Sequence, residues 1–124
     1  MVIAFANNQP MTAIFGTTSV ITTDPVPLGH NDRASAMLNT HYVFTQGGTA
    51  TLSYQAQVSN DGTNWVDVTA LTESVTTATT TPEQVVAAVN GAYLRFKFSL
   101  TIAAGSAGDI AGVGFDLHVN LDHV

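Results

Sequence analysis

The chain has no cysteine, and that one absence removes disulfides, thiolate metal sites and cysteine nucleophiles together. Stability must come from packing, association or both. Charge is scarce: Asp, Glu, Lys and Arg make up 10% of the 124 residues, against about 25% in ordinary soluble domains. Arg33, Arg95 and Lys97 are the only fixed cations, and the formal net charge is −6. Nucleic acid and anionic membrane surfaces both reward clustered Lys and Arg, so neither is expected as a partner. No apolar run approaches the roughly 20 residues of a membrane-spanning helix. The apolar start Met1–Ala6 is too short for a secretory signal and lacks a basic flank, so an unprocessed, soluble, intracellularly made protein is expected.

What remains is apolar and neutral-polar. Hydrophobic residues reach 45% of a 13.0 kDa chain, enough for a single domain that removes about two thirds of its unfolded surface from water. Thr, Ser, Asn and Gln fill the surface role that charge usually takes, and Thr suits a pleated sheet because its β-branched side chain is stiff there.

The order of these residues has a period of two. Leu52, Tyr54, Ala56 and Val58 alternate with Thr51, Ser53, Gln55 and Gln57, as a half-buried strand requires. Val66, Val68 and Ala70 alternate with Trp65, Asp67 and Thr69 on a second arm. Between the arms Asp61-Gly62 supplies the residues a tight or bulged hairpin needs. The most regular strand is Tyr93 to Ile102, with Leu94, Phe96, Phe98, Leu100 and Ile102 on one face; Ile110 to Leu121 follows with Val113, Phe115, Leu117, Val119 and Leu121. Further strands are expected over Ala13–Thr23, over Met37–Thr45 with Leu38, Thr40, Tyr42 and Phe44 on one face, and over a short stretch within Glu83–Val89. Residues 1 to 11 read as an arm or short first strand because Pro10 interrupts the pattern, leaving 12–124 as the sandwich domain. Thr76–Pro82 reads as a Thr-lined edge strand or a loop. Seven or eight strands without a long helix predict an all-β, antiparallel β-sandwich of jelly-roll type; an immunoglobulin-like sandwich and a closed barrel share the pattern.

Candidate chemistry is thin. Asp116, His118, Asn120 and Asp122 share the polar face of the last strand with His123 beside them, but alternate residues stand about 7 Å apart, so two can reach one ion and four cannot. A solvated face or oligomer contact is expected there, with no metal and no cofactor. Asp61 is expected to bond the backbone of its own turn. Trp65 and Tyr93, with Asp61 or Asn64 for hydroxyls, would suit a sugar ring, which makes a carbohydrate-binding module the rival reading. Arg95 and Lys97 beside Tyr93 form a polar stripe that could meet a partner's carboxylates or only aid solubility. No Ser, His or carboxylate motif nominates a catalytic residue, and no enzyme is expected.

Two segments carry a resemblance. Ser59-Asn60-Asp61-Gly62-Thr63-Asn64-Trp65 with Val66-Asp67-Val68, and Gly91–Phe98 leading to Phe115–Val119, resemble the small decoration, cement or auxiliary head proteins of tailed bacteriophages. The resemblance implies a β-sandwich on the exterior of the virion, made in the host cytoplasm, that binds the major capsid protein, forms a dimer or trimer, and has no catalytic residues. Low charge agrees with such a role, since Thr, Ala, Val and Asn lose less rotamer entropy at an interface than Lys, Glu or Arg.

Overall fold

A computed structural model describes residues 1–124 as strands and connections, with no helix. The strands are β1 Val2–Ile14, β2 Ser19–Thr22, β3 Val26–Pro27, β4 Arg33–Thr45, β5 Thr49–Ser59, β6 Val66–Val75, β7 Gln84–Ala88, β8 Tyr93–Ala103 and β9 Ile110–Asp122. One antiparallel sheet has the order β1-β9-β4-β7; the other has the order β2-β8-β5-β6, with β3 also paired to β8. With β2 and β3 taken as one interrupted strand on β8, eight strands form the two Greek keys of a jelly roll.

The core is where the alternating faces meet. Leu94, Phe96, Phe98, Leu100 and Ile102 of β8 are buried against Val113, Phe115, Leu117, Val119 and Leu121 of β9. Phe98 and Phe115 meet edge to face across the sheets at 4.9 Å between ring centres, the geometry that places a positive ring edge on a negative ring face. Phe96 takes Phe5 at 4.7 Å and Tyr54 at 5.7 Å. Opposite these large rings β4 offers Ala34 and Ala36, and β5 offers Ala50 and Ala56. Large residues thereby fill the space that small ones leave.

Four local readings change. Ala13–Thr23 is not one strand: β1 ends at Ile14, the chain turns through Phe15–Thr18, and β2 belongs to the opposite sheet. Gly16, at φ +92°, makes that exit. The N-terminal segment is longer than an arm of residues 1 to 11, because β1 continues through Pro10; as an edge strand it tolerates a residue without an N–H. In β4 a bulge at His41 breaks the register between Thr40 and Tyr42, so Leu38 and Thr40 point inward while Tyr42 and Phe44 point out. In β6 the pairing slips between Gln55 and Gln57, so Val66 is exposed and Leu71, outside the expected set, is buried.

The Thr76–Pro82 segment is a loop, tied to β4 where Thr79 N donates to Thr40 O at 2.8 Å and Thr79 Oγ1 accepts from Thr40 N at 2.8 Å. At the β4–β5 crossing, Gly47 and Gly48 hold φ of +77° and +67°, and a Cβ on Gly48 would lie 2.6 Å from Ala103 O. Only glycine suits this turn.

Truncating Phe115, which is fully buried, to alanine is expected to cost about 3–5 kcal/mol out of a total of about 5–15 kcal/mol. Urea unfolding of wild type and Phe115→Ala, followed by circular dichroism, measures the difference.

Candidate functional site

Asp61, Asn64, Trp65, Tyr93, Arg95 and Lys97 all lie on the second sheet or in its β5–β6 loop. Asp61 sits in the β5–β6 loop, where its Oδ1 accepts from the backbone N–H of Thr63 and of Asn64, both at 2.8 Å, and its Oδ2 accepts from Asn64 Nδ2 at 2.7 Å. Ser59 Oγ donates to Asp61 Oδ1 at 3.0 Å and accepts from Gly62 N at 2.9 Å. The Asn64 and Thr63 N–H groups hold the Asp61 carboxyl well below the ordinary carboxylate range, because donors favour the charged form. Both carboxylate oxygens are used inside the loop. Asp61 therefore builds the hairpin, and a shallow depression of about 400 Å³ lies between this loop and Asn90.

Trp65, at the entry to β6, is brought to Arg95 because β6 and β8 both pair with β5. The Arg95 guanidinium lies 4.1 Å over the indole ring, a cation–π contact, while its Nε donates to Gln57 Oε1 at 2.9 Å. Gln57 Nε2 in turn donates to Asp67 Oδ1 at 2.9 Å. One indole face is thus already covered. Tyr93 stands at the start of β8, 37% exposed, directly opposite Ser59. Lys97 points outward from β8 between Thr22 and Gln55 and makes no ion pair, whereas Arg33 is held by Asp122. Around Arg95 and Lys97 the outer face is Thr51, Ser53, Gln55, Ser99 and Thr101, a neutral hydrogen-bonding surface.

The carboxylates of β9 are each held by a different partner, and His118, exposed beside Asp116, makes no ion pair. Asp116 accepts from Asn8 N at 2.6 Å and lies 3.0 Å from His41 Nε2; the Asn8 N–H, then His41, lower its pKa. Asp122 takes a bidentate bond from Arg33 at 2.9 and 2.6 Å, which lowers the carboxyl pKa and raises that of the guanidinium. His123 lies 3.2 Å from Asp32, and Asn120 Oδ1 accepts from the terminal amine of Met1 at 3.3 Å. No three His, Cys, Asp or Glu side chains converge. Neither His–Asp pair lines a depression, and no hydroxyl donates to either imidazole.

The larger feature lies on the outer face of the first sheet, and sequence reasoning missed it. Ile14 pairs with Ile110, Phe44 lies opposite Gly112 with Thr12 beyond, and Tyr42 lies opposite Gly114 with Pro10 beyond. Ile14 is 59% exposed, Phe44 56%, Tyr42 50% and Ile110 45%. The two glycines open the ground between them, and a Cβ on Gly114 would collide with the Tyr42 ring. These side chains form a contiguous, uncharged, aromatic-aliphatic patch on the outer face of the first sheet. Its signal in the sequence was the residue count of β4, since one bulged residue decides which face Tyr42 and Phe44 take.

The strand order defines a jelly-roll β-sandwich with an exposed apolar patch on its first sheet. Among solved structures the chain is similar to VP2 of infectious bursal disease virus in a subviral particle, with TM-score 0.62 and 12% identity over 99% of this chain and 32% of that one. It is similar also to the PBSX exported protein XepA, with TM-score 0.61 and 11% identity over 100% of this chain and 37% of that one. The infectious bursal disease virus T13 particle gives TM-score 0.60 at 12% identity, over 99% of this chain and 30% of that one. This chain thus spans about a third of the length of the chains it matches, and at such identities the likeness establishes the jelly-roll fold. No family model matches the chain, and no curated protein matches it significantly.

Because the folded pKa of Asp61 is depressed, its stabilising contribution is present above the unfolded carboxylate pKa and is lost as pH falls below it. Asp61→Asn is therefore expected to lower the melting temperature at pH 7. The gap from wild type should narrow steadily as the pH is taken from 5 toward 2. Melting curves across that range check it, and a gap independent of pH would assign the loss to geometry alone.

Proposed function

We propose that this chain is a non-enzymatic virion component, a decoration or cement protein that docks on the outer surface of a major capsid protein lattice and stabilises the head. The observation that carries the reading is the exposed Ile14, Tyr42, Phe44 and Ile110 patch on a rigid sheet face. Support comes from the fold, which VP2 of infectious bursal disease virus uses in its particles. The resemblance of the Ser59–Val68 and Gly91–Val119 segments to phage auxiliary head proteins points the same way.

Charge favours a different protein as occupant of the patch over a second copy placed face to face. Asp109 and Asp116 stand at the margin of the patch, while Arg33 is committed to Asp122 and the other two cations lie on the opposite sheet. Two copies meeting on this face would set carboxylates against carboxylates, which is unfavourable. An apolar recess with a basic rim complements it. Self-association as a dimer or trimer is part of the same reading through the sheet edges, since few charges guard them. The neutral Ser, Thr and Gln face of the second sheet would then point outward.

The test is co-sedimentation with capsids that lack the protein, combined with light scattering of the protein alone. Saturable binding is expected for wild type and for Trp65→Ala. Phe44→Asp and Ile14→Asp, both at exposed positions, are expected to weaken binding roughly tenfold or more with the melting temperature unchanged. Binding of Phe44→Asp and Ile14→Asp equal to wild type would remove the patch from the reading. A protein indifferent to capsids, with glycan binding lost in Trp65→Ala, would replace the reading by carbohydrate recognition.

A further inference from the structure

Each sheet has two edges: β1 and β7 flank the first, and β6 and the interrupted β2–β3 pair flank the second. An edge strand presents a row of unpaired N–H and C=O groups, which soluble proteins blunt with proline, bulges, charges or shortness. Three of these edges carry such a device. β1 slips register twice against β9 and contains Pro10. β2 and β3 are pieces of four and two residues with Asp24-Pro25 between them. β6 carries Asp67 and the inward-facing Glu73, and its pairing with β5 is broken between Asp67 and Thr72. β7 has none of these: Gln84-Val85-Val86-Ala87-Ala88 is uncharged, lacks proline and pairs with Arg33–Met37 of β4 without a break.

The bonds around β7 identify its free groups. Val89 N donates to Asp32 O at 2.9 Å, and in an antiparallel ladder the residues that bond a given neighbour alternate along the strand. The pairs bonded toward β4 are therefore Ala87 with Ala34 and Val85 with Ala36. The same parity runs on along β4 to Thr40, whose N and O bond Thr79 on that side. Gln84, Val86 and Ala88 thus turn their N–H and C=O groups away from β4, where no further strand of the sheet lies. Their side chains are exposed as well, Val86 by 52%.

This edge is complementary to itself. About a two-fold axis at Val86, an antiparallel copy sets Val86 against the partner's Val86, Gln84 against the partner's Ala88, and Ala88 against the partner's Gln84. Each such pair exchanges two backbone hydrogen bonds, so every free N–H of the edge meets a C=O. The valines meet on the outer face, and no like charges stand opposite one another, since Glu83 falls level with the partner's Val89. We infer that a second copy of this chain occupies the β7 edge, joining two four-stranded sheets in the order β1-β9-β4-β7-β7-β4-β9-β1. The inference deepens the proposed function and rests on it only for the role of the assembly: self-association becomes a two-fold dimer, because an isologous contact closes on itself and builds no trimer. The axis stands perpendicular to the sheet, so both patches of Ile14, Tyr42, Phe44 and Ile110 face the same way. Asp109 and Asp116 of the two copies then lie side by side and never meet face to face, and a lattice is offered two linked attachment points.

Sedimentation velocity of the full chain over a concentration series reads the association, and hydrogen exchange followed by NMR reads the edge. A dimer is expected, with the amides of Gln84, Val86 and Ala88 protected at high concentration and exchanging freely on dilution. Val86→Lys sets two ammonium groups against each other, and Val86→Pro removes an outward N–H without touching the β4 ladder. Each is expected to weaken the dimer on the order of tenfold or more, with the circular dichroism of the β-sandwich retained. Val20→Lys, at an exposed position on the β2 edge, is expected to leave the dimer intact. So is Phe44→Asp, which separates this contact from capsid docking: a Val86-dependent dimer indifferent to capsids would remove the docking reading and uphold the edge. A monomer at every concentration, a trimer, or a dimer insensitive to both Val86 variants would overturn the assignment.

Discussion

The edge-to-face contact of Phe98 with Phe115 is the point on which the rest of the structure turns. It joins the central strand pair of one sheet to that of the other, and β8 and β9 are the strands to which most of the remaining elements pair. With no disulfide available, burial across this seam is what holds the two sheets together. Aromatic rings in the middle force small residues at the flanks, and Ala34, Ala36, Ala50 and Ala56 answer that demand. Because the centre is so completely apolar, polar chemistry is displaced to the loops, the outer faces and the open edge.

The two outer faces are unlike. On the second sheet the cross-strand neighbours are Thr, Ser and Gln with Arg95 and Lys97 among them, a surface that water solvates well. On the first sheet the half nearest Asp122 carries ion pairs, while the half nearest Ile110 carries Ile14, Tyr42 and Phe44 around two glycines. A molecule with so few charges has little long-range field to steer it. Any contact made by the Ile14, Tyr42, Phe44 and Ile110 face would rest on shape and apolar burial at short range.

Much of the fold was legible from local pattern. β8 and β9 follow strict alternation from end to end, so the buried sets Leu94–Ile102 and Val113–Leu121 were read correctly, as was the self-contained Asp61 loop, whose bonds run only a few residues along the chain. The misreadings share one cause, a dependence on register between distant strands. Tyr42 and Phe44 continue the parity of Leu38 in the sequence, and only the extra residue at His41 turns them outward. The Arg95 guanidinium over one face of Trp65 was not legible either, because it depends on β8 lying beside β5. Glu73 and Tyr54 come from neighbouring strands, and nothing near either in the sequence announces that they face each other.

Asp116 lies at the level where β1 and β4 both slip register, held on one side by the N–H of Asn8, which has φ +47°, and on the other by His41. These bulges work as a gear change: beyond them the parity of each flanking strand is reset relative to β9. The content of the outer face is therefore governed by residue count as well as residue identity. Were His41 to pair regularly in place of bulging, Tyr42 and Phe44 would turn inward and Val43 outward, exchanging an apolar outer face for an ordinary one without altering a single side chain. The register of one strand against its neighbour is thus the coarse determinant of what this face displays, and substitution is the fine one.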